Sequence, residues 1–259
     1  MFETILWEVK NATGYITLNR PEVYNALNDL MRKELLAAFR EAGKNSAVRV
    51  VVITGSGKAF CSGQDLKEIM ANPNRNISDS LRSGYNPLIS QMRNIPKPVI
   101  CRLNGIAAGA GCSLALASDI VIASEEAALS EIFVSIGLVL DSGSAYFLPR
   151  LVGSAKAFEL ATTGRKVPAG EAAAMGLINK AVPAEKLDDA VAEMLAYYEQ
   201  APTKAIALMK KMLNKSFQSD LDQMLDYEAS CQEAAAATAD SREGISAFLQ
   251  KRSPQFKGE

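Results

Sequence analysis

One carboxylate, Asp141, lies in a stretch that is otherwise apolar, small or glycine, IGLVLDSGSAYFLPRLVG at residues 136–153. An Asp followed by Ser and Gly is typical of a turn or a helix cap. The apolar flanks favour a second interpretation, because burial raises the pKa of a carboxyl group and a general base needs such a raised pKa. From this pattern alone, both interpretations of Asp141 stay open.

The sequence of 259 residues contains no histidine. This excludes Ser-His-Asp and Cys-His catalysis, metals bound by histidine and a histidine general base. A proton-transfer group would have to be Asp, Glu, Tyr, Lys or Cys, or water held by them. The cysteines Cys61, Cys101, Cys112 and Cys231 are widely spaced without a CxxC pair, which favours buried reduced thiols over disulfides or a zinc site. Neither a metal nor a redox cofactor is indicated.

Two glycine-containing junctions could bind an anion. TGSGKAFCSGQDLKEI (54–69) and NGIAAGAGCSLALAS (104–118) each lead from a predicted strand through small residues into a predicted helix. A helix start presents unpaired N–H groups, so two such turns facing each other would bind one oxyanion from both sides. Either junction alone is equally typical of close strand-helix packing or a capped turn. Neither matches a phosphate loop or a dinucleotide fingerprint.

These junctions belong to a first half in which predicted strands and helices alternate. ILWEVK and GYITLNR form a predicted hairpin, and VRVVVITG, KPVICRLNG and DIVIAS are predicted buried strands. Predicted helices cover roughly 28–43 and roughly 78–94, and a third starts near Gly111. The polar segment 68–89 is predicted to be a mobile loop followed by a helix beside the site.

From about residue 154 onward, all segments with clear periodicity are predicted helices, the first of them KAFELATTG. Their apolar stripes exceed what a solvent-facing helix needs, which indicates oligomerisation. We therefore predict an α/β core over residues 1–195 and a helical C-terminal region over residues 196–259.

Composition predicts a globular protein with a large core, because 48% of residues are hydrophobic and 22% are charged. The formal net charge is -1 and no basic cluster contains interleaved aromatics, so we expect neither a nucleic-acid nor a membrane partner. The N-terminus carries acids and has no long apolar region typical of a signal peptide, which favours the cytoplasm. We expect the partner to be a small molecule.

Six motifs along the chain occur in an order typical of one known family: LNRPEVYNALN, GKAFCSGQDLKE, PKPVICRLNGIAAGAGCSLALASDIVIAS, IGLVLDSGSAYFLPRLVG, AAAMGLINKAVP and REGISAFLQKRSPQFKG. By these motifs the sequence resembles, over nearly its whole length, the crotonase, or enoyl-CoA hydratase/isomerase, superfamily. The resemblance implies an α/β fold built as a spiral of ββα turns, with a C-terminal helical region that builds a homotrimer or a dimer of trimers. It also implies an acyl-CoA thioester substrate and no separate cofactor, since CoA is part of the substrate.

In that family two backbone N–H groups hold the thioester carbonyl, and by position they fall on Gln64 and Ala110. Lys67 could meet a CoA phosphate or be a solvated surface lysine, and Tyr85 could line the acyl pocket or only pack. The full set of substrate contacts that the resemblance implies is Asn25, Ala26, Ser62, Asp65, Leu66, Lys67, Tyr85, Gly109, Gly111 and Phe133.

The two catalytic glutamates of the family's hydratases fall on Ser113 and Phe133, so both carboxylates are missing. Asp141 in LVLDSG resembles the isomerase branch, in particular ring-1,2-epoxyphenylacetyl-CoA isomerases. The resemblance therefore implies an isomerase with Asp141 as its base. The alternatives are a hydratase or other crotonase reaction that uses Glu131 or a bound water, and a non-catalytic CoA-binding oligomer. We expect Glu131 to cap a helix or face solvent.

Overall fold

Two β-sheets form the frame of the protein in a computed structural model that describes residues 2–71 and 73–259. The first sheet has six strands in the order β1-β2-β3-β5-β7-β10, and the second has four in the order β4-β6-β8-β9. The strands are β1 (Ile5–Lys10), β2 (Thr13–Leu18), β3 (Val50–Gly55), β4 (Ala59–Cys61), β5 (Val99–Leu103), β6 (Ile106–Ala108), β7 (Ile120–Ser124), β8 (Ala128–Ser130), β9 (Val167–Pro168) and β10 (Lys180–Val182).

Successive segments of the chain give one strand to each sheet, which makes the chain a spiral. β3 is followed by β4, β5 by β6, and β7 by β8, and the first member of each pair belongs to the six-stranded sheet. Neighbouring turns of the spiral pair in parallel in both sheets. Only β1 with β2, and β8 with β9, pair antiparallel among the described strands. The predicted hairpin is confirmed, with Ile5 opposite Leu18.

Helices connect and cover the sheets. In the first of them, Asn28 caps the N-terminus by accepting a hydrogen bond from the Met31 N–H, and the apolar face that includes Leu35 and Phe39 is buried. The α-helices are α1 (Asp29–Lys44), α2 (Leu66–Ala71), α3 (Ile77–Ser80), α4 (Asn86–Asn94), α5 (Ala110–Leu116), α6 (Ser144–Thr163), α7 (Ala169–Ala174), α8 (Leu187–Tyr198), α9 (Thr203–Ser216), α10 (Leu221–Ala236) and α11 (Ala239–Leu249).

Two segments differ from the sequence predictions. The helix predicted from about residue 154 is only the second half of α6, which begins at Ser144 and is broken at Gly153, where φ is +75°. The first half of α6 was not predicted from the sequence, because Pro149 and Gly153 are residues that normally end a helix. The helix predicted over roughly 78–94 is split, since a π-helical turn at Leu81–Tyr85 separates α3 from α4.

The main hydrophobic core lies between the two sheets and helices α1, α4, α5 and α6. A smaller core on the six-stranded sheet contains Val50, Val52 and Ile100 and is covered by Leu187 and Val191 of α8. The domain boundary predicted at residue 195 falls inside α8. This helix packs on the six-stranded sheet, whereas α9, α10 and α11 contribute no residue to either core. The division into two domains itself stays a prediction.

All four cysteines are buried and free, as predicted. Across residues 2–71 and 73–259, no helix is both long enough and apolar enough to cross a bilayer. The same residues contain no group of three or more cysteine and acidic side chains placed to hold a metal ion.

Candidate active site

A cavity of about 530 Å³ lies where the two glycine-containing junctions meet the turn that precedes α6. Gln64, Ala110 and Asp141 all line it, so the structure brings together the three residues that the sequence singled out. Most of the remaining wall is apolar and comes from α2, α3 and the 3-10 helix Ile132–Ile136. Asp141 is the only acidic residue among the described lining residues. A mostly apolar wall with a few convergent polar groups is typical of a small-molecule site.

The backbone N–H groups of Gln64 and Ala110 donate to no other described residue. Gln64 lies in a single parallel bridge with Leu27, in which the Leu27 N–H bonds to Gly63 and the Asp65 N–H bonds to Leu27. The Gln64 N–H therefore points away from this bridge. Ala110 is the first residue of α5, where an N–H has no partner within the helix. Both groups are free to bind an oxygen atom of a ligand.

Two glycines in left-handed backbone conformations place these N–H groups. Gly63 has φ +98° and Gly109 has φ +51°, values that residues with a side chain rarely adopt. A Cβ atom on Gly63 would lie 2.7 Å from the Ala108 carbonyl oxygen and 3.5 Å from the Ala110 amide nitrogen. Only glycine lets the two junctions approach so closely, so the predicted arrangement of facing turns is found.

Asp141 lies in the turn before α6 and is half-buried. It does not cap the helix, since Gly143 holds the N-cap position. The Ser142 hydroxyl donates a 2.8 Å hydrogen bond to Oδ1 of Asp141, and Ser142 itself has φ +51°. Burial raises the pKa of Asp141, and the Ser142 hydrogen bond offsets part of the rise. A carboxyl group with a raised pKa that faces a cavity is suited to accept a proton from a ligand.

Glu131 is buried directly behind this turn. Only 4% of its surface is exposed, and its Oε1 accepts a 2.7 Å hydrogen bond from Ser144 Oγ. Burial raises the pKa of Glu131 to about 7, the Ser144 hydroxyl and the Cys112 thiol lower it, and the nearby Asp141 raises it further. Glu131 precedes the 3-10 helix without capping it through its side chain. The expectation that Glu131 caps a helix or faces solvent is therefore wrong.

Tyr85, Arg32 and Gln64 form a polar cluster at the cavity wall, to which Tyr85 and Gln64 belong. The Tyr85 hydroxyl donates to Gln64 Oε1 at 2.5 Å, and Arg32 Nη1 donates to the same oxygen at 2.8 Å. The Arg32 guanidinium also lies 4.7 Å from the centre of the Tyr85 ring. Burial raises the pKa of the Tyr85 hydroxyl, which stays protonated as a hydrogen-bond donor. Tyr85 both lines the cavity and fixes the Gln64 side chain.

The sequence profile of the family described as enoyl-CoA hydratase/isomerase matches residues 8–259. The chain belongs to the enoyl-CoA hydratase/isomerase family. It is 40% identical to a 1,2-epoxyphenylacetyl-CoA isomerase of Escherichia coli (strain K12), with 100% of both chains covered. It is 44% identical to a probable enoyl-CoA hydratase of Rhodobacter capsulatus, with 99% of both covered. A crystal structure of a putative enoyl-CoA hydratase/isomerase from Mycobacterium abscessus superimposes with a TM-score of 0.92 at 35% identity, covering 98% of this chain and 100% of the other.

These comparisons confirm the predicted crotonase fold. Ser113 and Phe133 stand at the two positions that, by the resemblance, carry the glutamates of the family's hydratases. Ser113 is fully buried in α5 and its hydroxyl lies 2.6 Å from that of Ser144. Phe133 lines the cavity, and its ring carbons lie 3.9 Å from the position of a Cβ on Gly109. Neither position offers a carboxylate to the cavity.

The remaining substrate contacts implied by membership of the enoyl-CoA hydratase/isomerase family fall into two groups. Ser62, Leu66 and Gly109 line the cavity, together with Tyr85 and Phe133. Five others are not among the described lining residues, and they are Asn25, Ala26, Asp65, Lys67 and Gly111. None of these roles in substrate binding is tested, so all ten stay predictions.

Several of the residues outside the wall have evident structural roles. Asn25 is fully buried, and its side-chain amide donates to the carbonyl oxygens of Ser56 and Ala59 at 2.9 Å each. Asp65 forms a 2.9 Å ion pair with Arg20. A Cβ on Gly111 would lie 2.3 Å from the Cys61 carbonyl oxygen. The interpretation of the second junction as close strand-helix packing is therefore correct for Gly111.

Two residues of the site were missed in the sequence. Arg32 lies in α1 with only 3% of its surface exposed, and Ser144 connects Glu131 to Ser113. An arginine on the buried face of an amphipathic helix is a detectable signal, because such a charge requires buried partners. Ser144 offers no comparable signal, since a serine near a helix start is ordinary.

Proposed function

We propose that this enzyme is an acyl-CoA isomerase that works through a thioester enolate, with Asp141 as the group that carries the proton. The observation that supports this proposal most directly is that Asp141 is the only acid among the described residues of the cavity wall, while both hydratase glutamate positions lack a carboxylate. A single carboxylate suits isomerisation, since it can remove a proton from one carbon and return it to another.

For a Δ3-enoyl-CoA, the proposed reaction has two proton transfers. Asp141 first removes a proton from C2, and the electron pair left behind moves onto the thioester oxygen as the enolate forms. The free N–H groups of Gln64 and Ala110 stabilise that oxygen, an interaction that strengthens as negative charge develops. The protonated Asp141 then returns the proton to C4, and the double bond lies between C2 and C3. The reaction consumes no water and needs no cofactor.

A ring-1,2-epoxyphenylacetyl-CoA is the second proposed substrate. Its isomerisation to an oxepin-CoA can proceed through the same kind of enolate, so one site could serve both reactions. The proposal is supported by the 40% identity over the whole chain to the Escherichia coli protein named 1,2-epoxyphenylacetyl-CoA isomerase. It would place the enzyme in phenylacetate catabolism.

A hydratase is the alternative with support from relatives, since the Rhodobacter capsulatus protein carries that name. Water addition by the family's glutamate pair is disfavoured by Ser113 and Phe133, and Glu131 is not among the described wall residues. A non-catalytic CoA-binding oligomer is disfavoured by Asp141. Half-burying an acid in a cavity raises its pKa and costs free energy, and a protein that only binds CoA has no use for such a group.

We also propose that the enzyme acts in the cytoplasm as a homotrimer or a dimer of trimers. Large apolar side chains are exposed on α9, α10 and α11, among them Leu213, Leu225 and Phe248, which is 83% exposed. Exposed apolar surface of this extent is typical of an interface between subunits. Sedimentation at several protein concentrations would measure the number of subunits, and a monomer at all of them would contradict the proposal.

The decisive experiment follows isomerisation of a Δ3-enoyl-CoA in deuterium oxide for the wild type and Asp141→Asn. We expect the variant to lose about 100-fold or more of both isomerisation and deuterium incorporation, because its amide cannot accept the proton. Asp189→Asn is the matched control, since that carboxylate is exposed at the start of α8 and makes no contact with the cavity. A folded Asp141→Asn enzyme that turns over at the wild-type rate would refute the proposal.

A further inference from the structure

Glu131 is the buried carboxyl group that the proposed mechanism leaves unused. Its Oε1 has the Ser144 hydroxyl as a partner, and its Oε2 is buried without an N–H or O–H donor among the described residues. The Cys112 thiol beside the carboxyl group is only a weak donor. A buried carboxylate that lacks partners is costly when it is charged, so this environment favours the protonated form. A small change in pH or in the surroundings is therefore enough to change the protonation state of the Glu131 carboxyl group.

A chain of hydroxyl groups connects Glu131 to the turn that carries Asp141. Ser144 Oγ lies 2.7 Å from Glu131 Oε1 and 2.6 Å from Ser113 Oγ. Ser113 Oγ in turn lies 3.2 Å from the main-chain carbonyl oxygen of Asp141. Ser113 and Ser144 are fully buried, so water does not compete for these hydrogen bonds.

The direction of this chain depends on the protonation state of Glu131. An ionised Glu131 only accepts, so Ser144 donates to it and Ser113 donates to Ser144. A neutral Glu131 can donate to Ser144, which then donates to Ser113. Ser113 is then free to donate to the carbonyl oxygens of Asp141 at 3.2 Å and of Gly109 at 3.3 Å. The loss of one proton at Glu131 therefore withdraws this shared hydrogen bond from the Asp141 turn and from the start of α5.

Charge connects the two acids as well. Asp141 raises the pKa of Glu131, and an ionised Glu131 must raise the pKa of Asp141 in return, because like charges repel equally in both directions. The other titratable group that faces Glu131 is the Cys112 thiol of α5, and burial keeps it neutral by raising its pKa. The groups that affect the titration of Glu131 are thus Asp141, Cys112 and Ser144, and none of them is cationic.

We propose that Glu131 is a positioning residue that controls the basicity of Asp141 by reversing the Ser144–Ser113 chain and by its own charge. This inference rests on the proposed function, in which Asp141 carries the proton. It adds a second acid that never contacts the substrate. When Glu131 is ionised, Asp141 binds its proton more tightly and is a stronger base for the substrate.

The test is the pH dependence of kcat/KM for isomerisation of a Δ3-enoyl-CoA. We expect two ionisations in the wild type, and we expect the upper one, near pH 7, to be lost in Glu131→Gln. The glutamine resembles neutral glutamic acid, so we expect its rate to be about five-fold below wild type at about pH 8 and within about two-fold at about pH 6. Glu126→Gln is the matched control, because this residue is exposed on the connection between β7 and β8, before the strand that Glu131 follows.

Ser144→Ala distinguishes the effect of the Ser144–Ser113 hydroxyl chain from the effect of the Glu131 charge. This variant keeps both carboxyl groups but cannot relay hydrogen bonds. We expect a smaller change in rate, with the upper ionisation still present but moved to higher pH, because the Ser144 hydroxyl lowers the pKa of Glu131. A Glu131→Gln profile that superimposes on the wild type would overturn the inference. The same is true of a rate that falls by one constant factor at every pH, since that result indicates a purely structural residue. A Ser144→Ala profile identical to the wild type would remove the chain from the proposal.

A second measurement needs no turnover. We expect the titration of Glu131, followed by carbon-13 NMR of protein labelled at glutamate, to move to lower pH in Asp141→Asn because the repelling charge is gone. An unchanged titration would overturn the coupling between the two acids, whatever the activity. A wild-type enzyme that does not isomerise a Δ3-enoyl-CoA at any pH, while Glu131 still responds to Asp141→Asn, would instead refute the proposed function alone.

Discussion

The Tyr85 hydroxyl donates a 2.5 Å hydrogen bond to Gln64 Oε1, and this contact ties a residue of the cavity wall to a residue whose backbone N–H is free. Arg32 holds the same oxygen from α1, so the Gln64 side chain is fixed by two different parts of the chain. A hydrogen-bond donor that is held in place before the reaction does not have to reorganise when negative charge develops on the bound oxygen. It therefore stabilises the transition state more.

Tyr85→Phe removes only the hydroxyl group of this contact. We expect kcat to fall about five-fold, corresponding to one neutral hydrogen bond of about 1 kcal/mol, with little change in the melting temperature. Steady-state kinetics and thermal unfolding check both expectations. Tyr24→Phe is a suitable control because Tyr24 is 58% exposed. An unchanged kcat would show that the Gln64 N–H does not depend on Tyr85.

Gly63→Ala tests the close approach of the two junctions. The new Cβ would lie 2.7 Å from the Ala108 carbonyl oxygen, at a position where φ is +98°. Because the junctions must separate, we expect kcat to fall about 100-fold or more, as when one donor to an oxyanion is removed. Gly170→Ala is the matched control, since nothing lies within 4 Å of its Cβ position. Equal activities of the two variants would contradict a role for the close approach.

Asn25→Ala distinguishes a structural role from substrate binding. The buried Asn25 side chain accepts from the Arg20 N–H and donates to the carbonyl oxygens of Ser56 and Ala59, and alanine removes all three hydrogen bonds. We expect the free energy of unfolding to fall by about 3 kcal/mol and KM to change by less than about two-fold. Denaturant titration and kinetics at low temperature provide the two values. A raised KM at full stability would show that Asn25 serves the substrate instead.

Glu131→Gln changes how stability depends on pH. The pKa of Glu131 is raised from 4.5 to about 7 in the folded protein, so the stabilising effect of its neutral form is complete below pH 4.5 and is lost as pH rises through about 7. Glutamine cannot ionise and keeps this stability. We expect the variant to gain on the wild type between pH 4.5 and pH 8, by up to about 3 kcal/mol. Urea unfolding of both proteins at several pH values measures the difference, and parallel curves would contradict it.

Local patterns in the sequence were sufficient for much of the fold and for the centre of the site. The β1–β2 hairpin and strands β3, β5 and β7 were predicted because alternation, β-branched residues and turns are read from adjacent positions. Strands β4, β6, β8, β9 and β10 were not, since two or three residues carry too little pattern. The facing junctions and the apolar surroundings of Asp141 were predicted from glycines and flanking residues.

What could not be predicted depends on contacts between distant residues. Glu131 follows a short strand, and nothing beside it in sequence indicates that Ser144, thirteen positions later, would bury and bind it. Arg32 and Gln64 are likewise 32 positions apart. Such pairs arise because the spiral places successive chain segments side by side. A single sequence does not show which of its segments pack against each other.

The two free donors of the cavity are main-chain atoms, placed by the backbone at Gly63 and Gly109 and, at Gln64, also by the Tyr85 and Arg32 side chains. Much of the surrounding wall can therefore be exchanged without moving the reacting centre, which makes the enzyme suitable for directed evolution. A combinatorial library at Ile69, Ile77, Leu81 and Leu138 would vary the shape of the acyl compartment. Selection from such a library could broaden the range of thioesters accepted while the chemistry stays the same.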